Sequence, residues 1–142
     1  MSSENNRELS ERLQDLLSFS EILSYTTATH PDQEFLASAQ KSWTYEQFNG
    51  LVNQCSHFLQ DIGLESGDIL SAVLRNSLDY LVLYFACVRC RIIFNPFPFH
   101  VHANEIIKKV ESFDVKILVC HNEHFPGLAD TKVKLINFDD VD

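Results

Sequence analysis

From Ile69 to Ile136 two kinds of apolar segment alternate, and this constrains the fold more than any other feature of the chain. Ile69 to Leu74 is a near-continuous apolar run, the pattern of a strand buried on both faces. Leu78 to Cys90 is long enough for a helix, and Ile92-Ile93-Phe94 reads as a short strand. Ala103 to Phe113 puts Ile106, Ile107, Val110 and Phe113 on one helical face. Val115 to Cys120 is again a strand, and Val133 to Ile136 a further one. Strand–helix–strand–helix–strand is the order of parallel βαβ units. The expected class is therefore α/β, a mainly parallel sheet flanked by helices.

Two simpler elements precede it. Leu9, Leu13, Leu16, Leu17 and Leu23 recur at three-and-four spacing and predict a helix from about Arg7 to Ser24. His30-Pro31-Asp32 breaks the chain, because proline lacks a donor and restricts the residue before it. Glu34–Ala37 and Lys41–Trp43 read as a short hairpin around Ser38-Ala39-Gln40. Thr44-Tyr45-Glu46-Gln47 fits a capping box, with threonine hydroxyl and glutamine side chain satisfying free backbone donors reciprocally. Phe48, Leu51, Val52, Cys55, Phe58, Leu59 and Ile62 follow at helical spacing, and Gly63 stands where a left-handed cap is easiest. The chain of 142 residues is expected to be a single domain, with a helical lead-in over 1–33 and the α/β part over 34–142.

Charge and apolar runs exclude several classes. Twenty Asp and Glu against eleven Lys and Arg leave a net charge of −9, which argues against a nucleic-acid partner. The longest apolar run, Tyr80 to Val88, is far short of the ~20 residues a bilayer span needs. Met1 to Asn6 lacks the basic start and apolar stretch of a signal peptide, so the expected location is cytoplasmic. Four cysteines do not make a disulfide framework in a chain of this size.

Most residues that evoke chemistry have a structural reading. Gly63 and Gly67 precede a strand, whereas a phosphate loop follows one and ends in Lys and Ser/Thr. They are read as cap and turn. Cys87 and Cys90 resemble a metal knuckle, and His100, His102, Cys120, His121 and His124 add ligand types. The two cysteines fall on a helix, however, and the spacings match no common zinc module, so the metal set is read as none. Their place towards the end of that helix also argues against a redox motif. Asp139, Asp140 and Asp142 read as a solvated tail. The segment Phe94-Asn95-Pro96-Phe97-Pro98-Phe99-His100 either lines an apolar pocket, docks on a partner, or folds over the core.

Taken in order, these pieces resemble the N-terminal part of the adenylate-forming enzymes: acyl-CoA synthetases, luciferases and the adenylation domains of peptide synthetases. The resemblance runs from Ser42 to Cys120. Trp43 to Phe48 matches the family's Thr-Tyr helix start, and Gly63 to Asp68 its Gly-(x)3-Gly-Asp turn. Asn76-Ser77 matches a strand-ending pair, Tyr84 to Cys87 a Tyr-x-Ala helix, and Asn95-Pro96 the proline after the next strand. Ala103 to Ile106 opens a helix like the family's Glu-Leu segment, followed by Val115 to Val119. Two positions depart. Arg91 stands where the family usually has glycine, and His100 where the loop often carries arginine.

The resemblance implies an ATP-dependent, AMP-forming carboxylic acid–CoA ligase or adenylation enzyme, with this chain as its N-terminal fragment. ATP, Mg²⁺ and CoA or a carrier-protein thiol are implied for the whole enzyme, and no cofactor for this chain. His100 is implied as a CoA-side contact. The family's phosphate loop, its later adenosine motifs and its C-terminal lysine are not found, so no catalytic residue is assigned and the chain alone is expected to be inactive. The expected partner is the remainder of the ligase, or a protein docking at Phe94–Phe99. The alternative is a non-catalytic protein-interaction module of the same fold.

Overall fold

The structure, a computed structural model, describes residues 18–140. It divides into two compact units, the first ending at Gln54 and the second starting at Cys55.

The first unit opens with helix α1, Phe19–Thr29. Of the expected helix over Arg7–Ser24, residues 7–17 lie outside the described part. Within that part the helix begins only at Phe19 and continues past Ser24 to Thr29. The physical reason is local. Ser18 is extended, at φ −146°, and its hydroxyl accepts the Glu21 N–H, which makes it the N-cap. The hydroxyls of Thr26, Thr27 and Thr29 donate back to the carbonyls of Ile22, Leu23 and Tyr25 at 3.0, 2.8 and 3.0 Å, so these polar residues stay within the helix. Strands β1 (Glu34–Ala37) and β2 (Ser42–Thr44) form the expected antiparallel pair. Helix α2 (Tyr45–Asp61) starts on the predicted capping box. The Gln47 N–H donates to Thr44 Oγ1 at 3.2 Å, and the Thr44 N–H to Gln47 Oε1 at 3.0 Å. Phe35 packs its ring on Tyr45 and Phe48, at 5.0 and 4.4 Å between centroids. The division between the units falls inside α2.

In the second unit α2 ends in a Schellman motif. The Leu64 N–H donates to Leu59 O and the Gly63 N–H to Gln60 O, with Gly63 at φ +94°. The chain then enters β3 (Ile69–Val73), α3 (Leu78–Cys90), β4 (Ile93–Pro96), α4 (Ala103–Ser112), β5 (Val115–Cys120), α5 (Phe125–Leu128) and β6 (Lys134–Asn137). A 3₁₀ turn follows at Phe138–Asp140. The four strands are parallel, in the order β4-β3-β5-β6. On one face of the sheet Val73, Leu118 and Cys120 pack with Ile106 and Val110 of α4 and Leu128 of α5. On the other, Phe94 of β4 meets Tyr80 and Tyr84 of α3 edge-on, at 5.5 and 5.8 Å. Helices thus cover both faces, as the buried β3 requires.

Beyond shifts of one residue at other element ends, three details differ from the sequence expectation. Strand β4 runs on to Pro96 instead of ending at Phe94. Proline is tolerated there because β4 is at the sheet edge, and the Phe97 N–H continues the ladder to Ala72 O at 2.8 Å. Strand β6 lies one residue later than Val133–Ile136. The short α5 was not expected, since a four-residue helix leaves no periodicity to read.

Candidate functional site

Strand order turns at β3, which has β4 on one side and β5 on the other. Open α/β sheets bind ligands at such a point, beyond the carboxyl ends of the strands. A cleft of about 660 Å³ lies there. Leu74 and Tyr80 line it from the β3–α3 side, and Pro96, Phe97, Pro98 and Phe99 from the β4 side. Arg75, Asn76 and His100 are its exposed polar groups. Below it, Asn95 Nδ2 donates to the buried Ser71 Oγ at 3.0 Å, joining β4 to β3.

Behind the cleft wall the loops after β3, β4 and β5 are tied together. Arg75 lies over the Phe99 ring, with its guanidinium carbon 4.2 Å from the centroid. Its Nη2 donates to both carboxylate oxygens of Glu123, at 2.8 and 3.0 Å, and its Nε to one of them at 3.1 Å. His124 sets its ring edge-on to Phe99 at 4.5 Å. His124 Nε2 lies 2.8 Å from Phe99 O; a carbonyl only accepts, so Nε2 carries the proton. His124 Nδ1 is buried without a partner.

A second network follows β5 and β6. His121 Nδ1 lies 2.7 Å from Asp139 Oδ1, and the Asn122 N–H donates to Asp139 Oδ2 at 2.6 Å. The Asn122 N–H, with His121 beside it, holds the Asp139 carboxyl below its ordinary range. Asn137 Nδ2 donates to Asn122 Oδ1 and to Asp140 Oδ2. Asp139 and Asp140 are exposed, in keeping with the expected solvated tail, but they also bind neighbouring side chains and backbone; Asp142 lies outside the described residues. The parallel register brings this about. Cys120 sits beside Asn137, so the residues after each strand meet.

The structure scatters the residues that evoked a metal. Cys87 is buried on α3, and His102 is exposed at the start of α4 without a capping bond. Among the described residues no group of three or more His, Cys, Asp or Glu is arranged to hold a metal ion. Burial pushes the Cys55 thiol up to about 12 and the Cys120 thiol to about 11, and raises Cys87 as well. The glycine turns also fail as a phosphate cradle. The Gly63 N–H is spent on Gln60 O, the Gly67 N–H on Arg91 O and the Asp68 N–H on Glu65 O. These three backbone donors are therefore not free to cradle a phosphate group.

His100 stands among the cleft residues, as the sequence placed it in that loop. Phe94, Phe97 and Phe99 are half-buried and engaged within the fold. The clamp of Arg75, Glu123 and His124 left no trace in the sequence, because its members come from two separate loops and the Phe99 they grip from a third.

Residues 23–141 match the family model described as "AMP-binding enzyme". The chain belongs to this family. It is 24% identical over 103 residues to the medium/long-chain-fatty-acid–CoA ligase FadD6 of Mycobacterium tuberculosis, covering 72% of this chain and 17% of that ligase. The fold is similar to the N-terminal domain of FACL13 from Mycobacterium tuberculosis, with a TM-score of 0.79 and 20% identity over 87% of this chain and 34% of that one. It is also similar to NpsA-ThdA, an artificially fused adenylation–PCP di-domain from Klebsiella oxytoca, with a TM-score of 0.75 and 15% identity over 83% and 22% of the two chains. Members of the AMP-binding family are thus matched along one stretch only, and the chain spans less than a fifth of the curated ligase's length. No helix among the described residues is long and apolar enough to cross a membrane.

Proposed function

We propose that this chain supplies scaffold and part of the substrate cleft of an ATP-dependent, AMP-forming acid–thiol ligase, and none of its catalytic groups. The observation that carries this reading is the family match over residues 23–141, with the cleft at the sheet's carboxyl edge inside it. The whole enzyme would join a carboxylic acid to AMP with release of pyrophosphate, then pass the acyl group to a thiol of CoA or a carrier protein. Residues of this chain would bind and orient. Leu74, Tyr80, Phe97 and Phe99 offer apolar surface. His100 is proposed as the contact on the CoA side, a weaker phosphate partner than arginine because it lacks the guanidinium's fork of donors. Residues 34–142 act as the α/β part of one domain in this reading, and the location is cytoplasmic.

The test is acid-dependent ATP–pyrophosphate exchange. The 142-residue chain should give the rate of a no-protein blank across a panel of fatty and aromatic acids. Exchange above that blank would overturn the scaffold reading.

A further inference from the structure

We infer that Arg75 is a positioning residue that holds the aromatic wall of the cleft in a preformed shape by acting through Phe99. The backbone of that wall has little to hold it. Pro96 and Pro98 have no N–H to donate. The Phe97 N–H reaches Ala72 O, and the next backbone bond is the local one from the Val101 N–H to Pro98 O at 3.1 Å. Between them the loop is held through Phe99. Its ring has the Arg75 guanidinium over its face at 4.2 Å and His124 at its edge at 4.5 Å, and its carbonyl faces His124 Nε2 at 2.8 Å.

Arg75 is itself aimed by Glu123. Three contacts to one carboxylate hold the guanidinium in place over the ring. Glu123 and His124 are consecutive, so a single turn after β5 grips Phe99 twice, once directly and once through Arg75. The β3 loop that carries Arg75 also lines the cleft. The ion pair is about half exposed on each side, at 62% and 49%. Pairs of this kind are weak one by one and sensitive to salt. The wall is therefore ordered at rest, and cheap to release. A preformed wall spares a ligand the entropy of ordering it. The inference concerns the wall itself and stands apart from the ligase reading, which the exchange assay tests.

Amide hydrogen exchange of the 142-residue chain reads it directly. Arg75→Met keeps the stem and removes the charge, and Glu123→Gln keeps the shape and removes the ion pair. Each should speed exchange of the hydrogen-bonded Phe97 and Val101 amides about 5- to 20-fold, with the Leu70 and Leu118 amides unchanged. Phe99→Leu should do the same, whereas Phe99→Trp should keep the protection. One molar NaCl should speed the same two amides in the unmodified protein and leave Arg75→Met unaffected. The Arg75→Met/Phe99→Leu double variant should match either single one, because both break one device. Unchanged exchange at Phe97 and Val101 in the variants and in salt would overturn the inference. So would an equal rise at Leu70 and Leu118, since the residues would then serve global stability.

Discussion

Replacing Arg91 with glycine should stabilise this protein. Arg91 sits at φ 57°, ψ 34°, the non-glycine residue with positive φ among those described. It occupies the left-handed position of a Schellman motif that ends α3. The Ile92 N–H donates to Cys87 O at 2.8 Å, and the Arg91 N–H to Val88 O at 3.2 Å. The same motif ends α2, with glycine at the equivalent place, Gly63. At Arg91 the turn aims the carbonyl at the Gly67 N–H, 2.9 Å away, and feeds the chain straight into β4. A β-carbon in this conformation costs roughly 1–2 kcal/mol. Glycine returns about 0.4–1 kcal/mol of that through its freer unfolded chain. The net gain is about 0.5–1 kcal/mol, or roughly 2–4 °C in Tm for a domain of this size. Thermal and urea unfolding of Arg91→Gly and Arg91→Ala would measure it. Alanine keeps the β-carbon and removes the long side chain, so it should stay within about 0.5 kcal/mol of the parent. If both variants shift stability alike, the gain does not come from the backbone, and the argument fails. Gly63→Ala is the mirror experiment, with an expected loss of about 1 kcal/mol.

Three further outcomes follow from the burial and charge pattern. At pH 8 a thiol reagent should label Cys55, Cys87 and Cys120 slowly in the folded protein, since a pKa of about 11 or above leaves about one thiolate in a thousand or fewer; rapid labelling of all three by mass spectrometry would contradict this. Asp68, lowered by its hydrogen bond from Lys116 and by the Glu65 N–H, and Asp139, lowered by the Asn122 N–H and by His121, contribute stability that is full above the unfolded carboxylate range. That stability should fall away as pH drops from about 4 through their lowered values, and Asp68→Asn should flatten the urea midpoint below pH 4 relative to the parent. Leu118→Ala, fully buried between helices on the sheet, should cost about 2–5 kcal/mol, whereas Phe113→Ala at 58% exposure should cost under about 0.5 kcal/mol by the same denaturation assay.

Local signals made much of the fold legible. Helix α3 and strand β5 have the bounds their apolar runs predicted, Leu78–Cys90 and Val115–Cys120. The capping box at Thr44 and the glycine cap at Gly63 were readable because each is a chemical device within a few residues. The reading slipped where a periodicity ran across a cap or where none shows. The leucines of the N-terminal segment hid the Ser18 cap, and the brief α5 is held by its surroundings. The Arg91 departure from glycine was visible as a letter, but its left-handed geometry was not.

The candidate site divides in the same way. The Phe94–Phe99 loop was singled out from its residue types and His100 by the family resemblance, and both border the cleft or its supports. The grip on Phe99 was invisible, since Arg75 and Glu123 are 48 positions apart. The pairing of His121 with Asp139 was hidden for the same reason, across 18 positions. By itself the sequence determined the class of fold, the parallel βαβ order and the family pattern, because periodicity, caps and turns act over a few residues. Tertiary structure decided the β4-β3-β5-β6 order, the cleft and the clamp behind it. Parallel strands are joined by long crossovers, and the ends of β3, β4 and β5 become neighbours only when the sheet assembles.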